Sequence, residues 1–313
     1  MLVSTPTIVV GVDGSTASLA AVDWAIHRAN LIGARVHIMC MYAMASYSAA
    51  ALDGGYAGID AEALEKGAQS VVDAAVERAT SLVGADTRVT ISSSIEPGDP
   101  ASILVEMSAE VDLIVVGSAS GGGFMSRLLG TVSSSLPANA DCPVVVVPEH
   151  KSGKAFTPID KIVVGVDSSS NTSAALKAAI AETELWGAAL TAVSAVPIPS
   201  VGGVMGWVPN TGNHDAVIAE IKNGLNTAVD SALGDHDLPV ARHVLDGSPA
   251  SLLIEFSTAV DLVVVGTRGG GGFADIFLGS TSQTVISHST CPVMVVPRGR
   301  DERSGESYAW ERR

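Results

Sequence analysis

The 313 residues are 47% apolar, enough to fill two cores, and with aromatics at 4% those cores must be built from Val, Ile, Leu and Ala. A net charge of −15 with scattered Lys and Arg excludes nucleic acid as an expected partner, because a polyanion is repelled on balance. No run reaches the roughly 18 apolar residues of a membrane helix, and the opening MLVSTPTIVVGVDGS lacks the basic start of a signal peptide, so the expected setting is cytoplasmic with no membrane partner.

In chain order, Ile8–Val12 reads as a strand and Ser15–Leu31 as a helix with a Ser/Thr start, an Ala-rich interior and a stop at Gly33. Val36–Met41 is a second strand. The loop Ala43–Asp60, with Tyr47, Gly54, Gly55, Tyr56 and Gly58, reads as a flap at the carboxyl edge of the sheet, with a disordered insertion as the alternative. Ala61–Val83 is a helix ending at Gly84, Thr87–Ser94 a strand, and Pro100–Ala109 a helix with Asp99 as its N-cap. Leu113–Val116 and the closing Val144–Val147 are continuous apolar runs, the pattern of parallel strands covered on both faces.

The chain then repeats itself. IVVGVDGS from Ile8 returns as IVVGVDSS from Ile162, DLIVVG from Asp112 as DLVVVG from Asp261, and CPVVVVP from Cys142 as CPVMVVP from Cys291. The same alternation follows: Ile162–Val166, Ser173–Trp186, Ala189–Ala195, a second flap-like loop Val196–Asn213, Ala216–Leu233, Val240–Leu245, Pro249–Ala259, Leu262–Val265, Thr281–His288 and Val293–Val296. Alternating β and α elements mean an α/β fold with right-handed crossovers. The expected division is a first domain at 1–149, a linker at 150–158, a second domain at 159–297 and a charged tail at 298–313. Cys142 and Cys291 occupy equivalent places; with Cys40, and without CxxC or Cys/His spacing, they read as reduced, buried thiols rather than metal ligands.

In an open parallel sheet, ligands sit beyond the strand ends where strand order reverses. If the first strand of each half is central and flanked by the second and fourth, that place lies between the ends of strands one and four. Strand one ends at Asp13 or Asp167. Strand four ends at Gly117 or Gly266 and runs into GSASGGGFMSRLLGTVS or GTRGGGGFADIFLGSTS. Glycine lets main-chain N–H groups curl around an anion. The helix starting near Gly130/Thr131, or Gly279/Ser280, adds free N–H groups and a positive dipole end. The hydroxyls of Thr131, Ser133, Ser280 and Ser282 add donors. A carboxylate repels phosphate, so Asp13 and Asp167 point instead to a ribose hydroxyl or an adenine amine, and the pair of features to a nucleotide. Turn-forming loops and capping aspartates are the plainer reading; the duplication weighs against it. Neither GxxxxGK[ST] nor a GxGxxG after strand one occurs.

Each half resembles a universal stress protein domain, whose ATP-binding signature is G-x2-G-x9-G-[ST] after strand four. Half two carries it in full as Gly266, Gly269, Gly279 and Ser280. Half one has Gly117, Gly130 and Thr131, with Ser120 in place of the second glycine and Gly121 beside it. The resemblance implies two tandem Rossmann-like domains of the adenine nucleotide alpha hydrolase-like kind, each an open five-stranded parallel sheet with helices on both faces. It also implies ATP, with Mg²⁺, as the ligand, adenine contacts through the main chain of Met41 and Ala195, a role in stress response, and a homodimer of tandem chains. The apolar final strands, predicted at sheet edges, would pair with each other within the chain.

Arg268 faces Ala119 in the repeat, Arg127 faces Ile276 and Asp275 faces Ser126. No charge clamp for phosphoryl transfer is therefore duplicated. The sequence favours a regulatory nucleotide-binding protein with slow or no hydrolysis over an ATPase or phosphotransferase with the long loops as lids, or a structural scaffold. Gly117→Ala and Gly266→Ala are the substitutions it offers for separating the two sites.

Overall fold

The computed structural model describes residues 5–42, 61–85, 88–118, 131–149, 155–167, 171–196, 214–267 and 278–298. The loop expected at 43–60, nearly all of that at 196–213, most of both glycine-rich loops and nearly all of the tail lie outside them.

Half one runs β1 (Thr7–Gly11), α1 (Thr16–Ile32), β2 (Arg35–Tyr42), α2 (Ala61–Leu82), β3 (Thr90–Pro97), α3 (Pro100–Met107), β4 (Leu113–Gly117), α4 (Thr131–Asn139) and β5 (Val144–Val147). Half two runs β6 (Lys161–Gly165), α5 (Asn171–Trp186), β7 (Ala189–Val196), α6 (His214–Leu233), β8 (Val240–Asp246), α7 (Pro249–Phe256), β9 (Leu262–Gly266), α8 (Ser280–His288) and β10 (Val293–Val296).

Local chemistry sets the boundaries. Ser15 caps α1 by accepting the Ser18 N–H at 3.1 Å. Gly33 ends it at φ 65°, and Gly187 follows α5 at φ 66°, a left-handed turn that glycine adopts without a Cβ penalty. Asp99 caps α3 as expected, accepting the Ser102 N–H at 2.9 Å. The third strand is displaced from its expected place: it spans Thr90–Pro97 rather than Thr87–Ser94. Among the described residues it pairs with β2 alone, Arg35 opposite Thr90 through Tyr42 opposite Pro97. On this half-exposed edge Val89, Ile91 and Ile95 face the core, but the serines between Ile91 and Ile95 blur where the strand ends, so pairing decides its extent.

The strand order is β3-β2-β1-β4-β5-β10-β9-β6-β7-β8, one ten-stranded sheet. Each half has strand one central and flanked by strands two and four, all parallel. The expected pairing of final strands occurs: β5 meets β10 antiparallel, Val145 opposite Met294. The two halves are thus one sheet rather than two beads. Helices α1, α2, α5 and α6 cover one face, where Ile8, Trp24, Val72, Val145, Leu176, Val229 and Met294 share a core that crosses the junction. Helices α3, α4, α7 and α8 cover the other with Leu104, Leu136, Leu253 and Val285 over Val146 and Val293.

Two aspartates pin the starts of the central strands. Asp112 Oδ2 accepts from Thr7 N–H at 2.7 Å, and Asp261 Oδ2 from Lys161 N–H at 2.9 Å.

All three cysteines are free and buried. Burial pushes the Cys291 thiol up to about 12 and raises those of Cys142 and Cys40 as well. In the native protein all three should therefore label slowly with an aromatic disulfide reagent at about pH 8, and fast only after denaturation. Thiol titration with and without guanidinium reads this directly.

Candidate functional site

The two carboxyl edges are built alike. Asp13 lies two residues beyond β1 rather than at its last position, exposed, with Oδ1 accepting the Ser15 N–H at 2.9 Å. Its own N–H approaches Ser18 Oγ at 3.4 Å. In half two the Thr172 hydroxyl takes the place of Ser18. Thr172 Oγ1 accepts from Asp167 N–H at 3.1 Å and donates to Asp167 Oδ1 at 2.7 Å. Each aspartate is therefore held by a hydroxyl five residues on, in the first turn of the following helix. These hydroxyls are not among the predicted site residues, although the two halves side by side show Asp13-x4-Ser18 repeated as Asp167-x4-Thr172. Partial burial pushes the Asp13 carboxyl upward. Hydrogen bonds from the Ser15 hydroxyl and N–H and from Ser18 outweigh this and hold it below the usual carboxylate range. Asp13 is thus an anion at neutral pH.

Met41 and Ala195 sit near the ends of β2 and β7. The Val12 N–H donates to Met39 O at 2.9 Å, and the Val166 N–H to Val193 O at 2.9 Å. Residues two apart in a strand direct their peptide groups to the same side. The Met41 and Ala195 peptides therefore face the side of β1 and β6, beyond the point where those strands stop pairing, at Gly11 opposite Met39 and Gly165 opposite Val193. On the other side the ladder is closed, by Gly98 N–H to Tyr42 O at 3.0 Å and Gly247 N–H to Val196 O at 2.9 Å. At these strand ends the halves also differ: the Ser194 hydroxyl donates to Val166 O at 2.8 Å, where half one has Cys40.

Of the phosphate-side residues, Ser120, Gly121, Gly130 and Gly269 lie outside the described residues, as do Arg127, Arg268 and Asp275. Thr131 is the first residue of α4. Gly279 is the N-cap of α8, tied beside the end of β9 by its N–H to Thr267 O at 2.8 Å, and as a glycine it offers no side chain to cap the helix itself. The first turn of α8 brings N–H groups and the positive end of the helix dipole to this edge, with Ser280 exposed beside them. Ser133 and Ser282 are buried one turn further in. The Ser282 hydroxyl donates to Gly266 O at 2.7 Å, so it fastens the helix to the strand end.

Gly117 has a packing reason that the sequence did not reveal. A Cβ there would lie 2.5 Å from Ser18 N and 2.6 Å from Ala17 C. Glycine lets the first turn of α1 pass directly over the end of β4. A Gly117→Ala variant therefore tests packing, and conservative changes at Asp13 and Asp167 replace it as probes of the site.

The profile of the universal stress protein family matches residues 5–148 and 158–297. A universal stress protein of Mycobacterium tuberculosis is 31% identical over 294 residues, covering 92% of this chain and 95% of the relative. One from Mycolicibacterium smegmatis is 32% identical over 293 residues, covering 92% and 96%. The crystal structure of a universal stress protein from Archaeoglobus fulgidus superposes with a TM-score of 0.67 at 19% identity, covering 94% of this chain and 97% of that one.

Gly117→Ala should cost about 1–3 kcal/mol of stability through the clash with α1, read by denaturant unfolding without any ligand. Asp13, with its carboxyl depressed in the folded state, adds stability that is complete above the unfolded value of about 3.9 and is lost as pH falls through the folded value. The stability gap between wild type and Asp13→Asn should accordingly be widest near neutral pH and narrow on acidification, as urea unfolding across that range would measure.

Proposed function

The chain belongs to the universal stress protein family, a family of stress-response proteins, and on that premise we propose that each half, 1–149 and 159–297, binds one ATP. The main-chain N–H and C=O of Met41 or Ala195 would meet the donor and acceptor edge of adenine. Asp13 or Asp167 would accept from the ribose hydroxyls. Ser120, Gly121, Gly130 and Thr131, or Gly269, Gly279 and Ser280, would hold the phosphates with N–H groups and hydroxyls, over Gly117 or Gly266. Mg²⁺ would arrive on the phosphates, which supply most of its oxygen ligands.

The observation that supports this reading is its duplication. In both halves an exposed aspartate, fixed by a hydroxyl of the next helix, stands beside a strand whose peptide groups face the space that its shorter neighbour leaves. A turn needs the aspartate but not the open peptide edge. The start of α8, with glycine at its N-cap, would add the anion-binding element in half two.

The same reading makes the protein a regulator, with bound nucleotide as its signal. Rapid phosphoryl transfer needs a cationic clamp and a group that positions the nucleophile, and the repeat duplicates neither. We further propose a cytoplasmic setting and a homodimer of tandem chains. Since β5 and β10 occupy each other, such a dimer must form through other surfaces.

Gently purified protein should retain or take up two ATP per chain, counted by mass spectrometry and equilibrium dialysis. Asp13→Asn and Asp167→Asn keep a side-chain oxygen for the turn but lose the charge, and each should lower the count to one with the circular dichroism spectrum unchanged. Absence of binding at both sites would refute the reading. Steady hydrolysis by the wild type that either variant diminishes would favour an enzyme instead.

A further inference from the structure

Helices α1 and α5 are equivalent elements. Asp13 and Gly33 bracket the first at the same spacing as Asp167 and Gly187 bracket the second, so position 28 corresponds to position 182. One holds Arg28 and the other Glu182. The helices touch each other beside the β5–β10 junction, and there these two side chains meet. Arg28 Nε lies 2.9 Å and 3.1 Å from the two Glu182 carboxylate oxygens, and Nη2 lies 2.6 Å from Oε1. Glu182 is 4% exposed and Arg28 17%. Trp186 Nε1–H donates to the second carboxylate oxygen at 3.0 Å.

Equivalent positions that touch each other across two related halves mark the two-fold axis. At that spot, two copies of half one would set Arg28 against another Arg28, and two copies of half two Glu182 against another Glu182. Shape is asymmetric there too. Trp24 and Trp186 pack with ring centroids 6.3 Å apart, whereas their counterparts in the other half are Ala178 and Ile32.

The strands beneath carry no such distinction. VVVV and VMVV are nearly the same strand, and antiparallel main-chain pairing does not read side chains. By itself the junction would accept either half as a partner.

We infer that the Arg28–Glu182 pair is a recognition device that makes each half a partner for the other and rejects its own kind from a second chain. Buried like charges carry a large penalty, so the pair discriminates through what it forbids as much as through what it joins. Its partner is therefore the complementary half, in this chain or, by exchange, in a second copy.

The test uses the folded chain cut afterwards at a protease site placed within 150–154, so that only contact holds the halves together. Arg28→Glu and Glu182→Arg should each weaken the pairing at least about tenfold in a dilution series followed by native mass spectrometry. The exchange variant carrying both should recover most of the loss. Thermal midpoints of the uncut variants should fall in the same order. The inference is overturned if either single variant pairs as tightly as wild type. It is also overturned if the exchange variant is no tighter than the singles, or if cut wild type forms pairs of half one with half one.

Discussion

The antiparallel pairing of β5 with β10 governs the molecule. An all-valine strand left at a sheet edge offers unpaired N–H and C=O groups to any passing chain. Here each such edge closes on the other. This turns two five-stranded sheets into one and lets a single apolar layer run from Ile8 through Val145 and Met294 to Ile162. The remaining edges are β3 and β8, both carrying polar and charged side chains, which suits them to face water.

The junction also sets the direction of everything above it. Strands are parallel within each half but antiparallel across the join, so the carboxyl edges of the two halves face opposite ways. Asp13 and Asp167 stand at opposite edges of one sheet. Any coupling between them must pass through the shared core and through α1 and α5, whose first turns hold the aspartates and whose bodies meet at Arg28 and Glu182.

Much of the candidate site was legible because the chain states it twice. Asp13 and Asp167, Gly117 and Gly266, and the helix starts at Thr131 and Ser280 stand out when the halves are compared, and the structure sets both aspartates and the two strand-end glycines at the carboxyl edges. Less legible were the roles of residues that act through contact. Gly117 reads as part of a cradle and proves to be clearance for α1. Ser282 reads as a ligand donor and turns its hydroxyl to the Gly266 carbonyl. Ser18 and Thr172 read as ordinary first-turn residues and turn out to hold the aspartates. A hydroxyl has the same composition wherever it points, and only packing chooses its partner.

The sequence alone settled the fold class and the duplication, since short Val/Ile runs alternating with helices mean an α/β fold; the order of strands it only supposed, and the pairings of the structure decide it. It found β3 but misplaced its bounds, since the serines that follow Ile91 blur where the alternation ends and pairing with β2 sets the extent. The approach of Arg28 to Glu182, 154 positions apart along the chain, belongs to the tertiary structure alone. Nothing local to either helix marks them as partners, because the axis that brings them together exists only once the two final strands have paired.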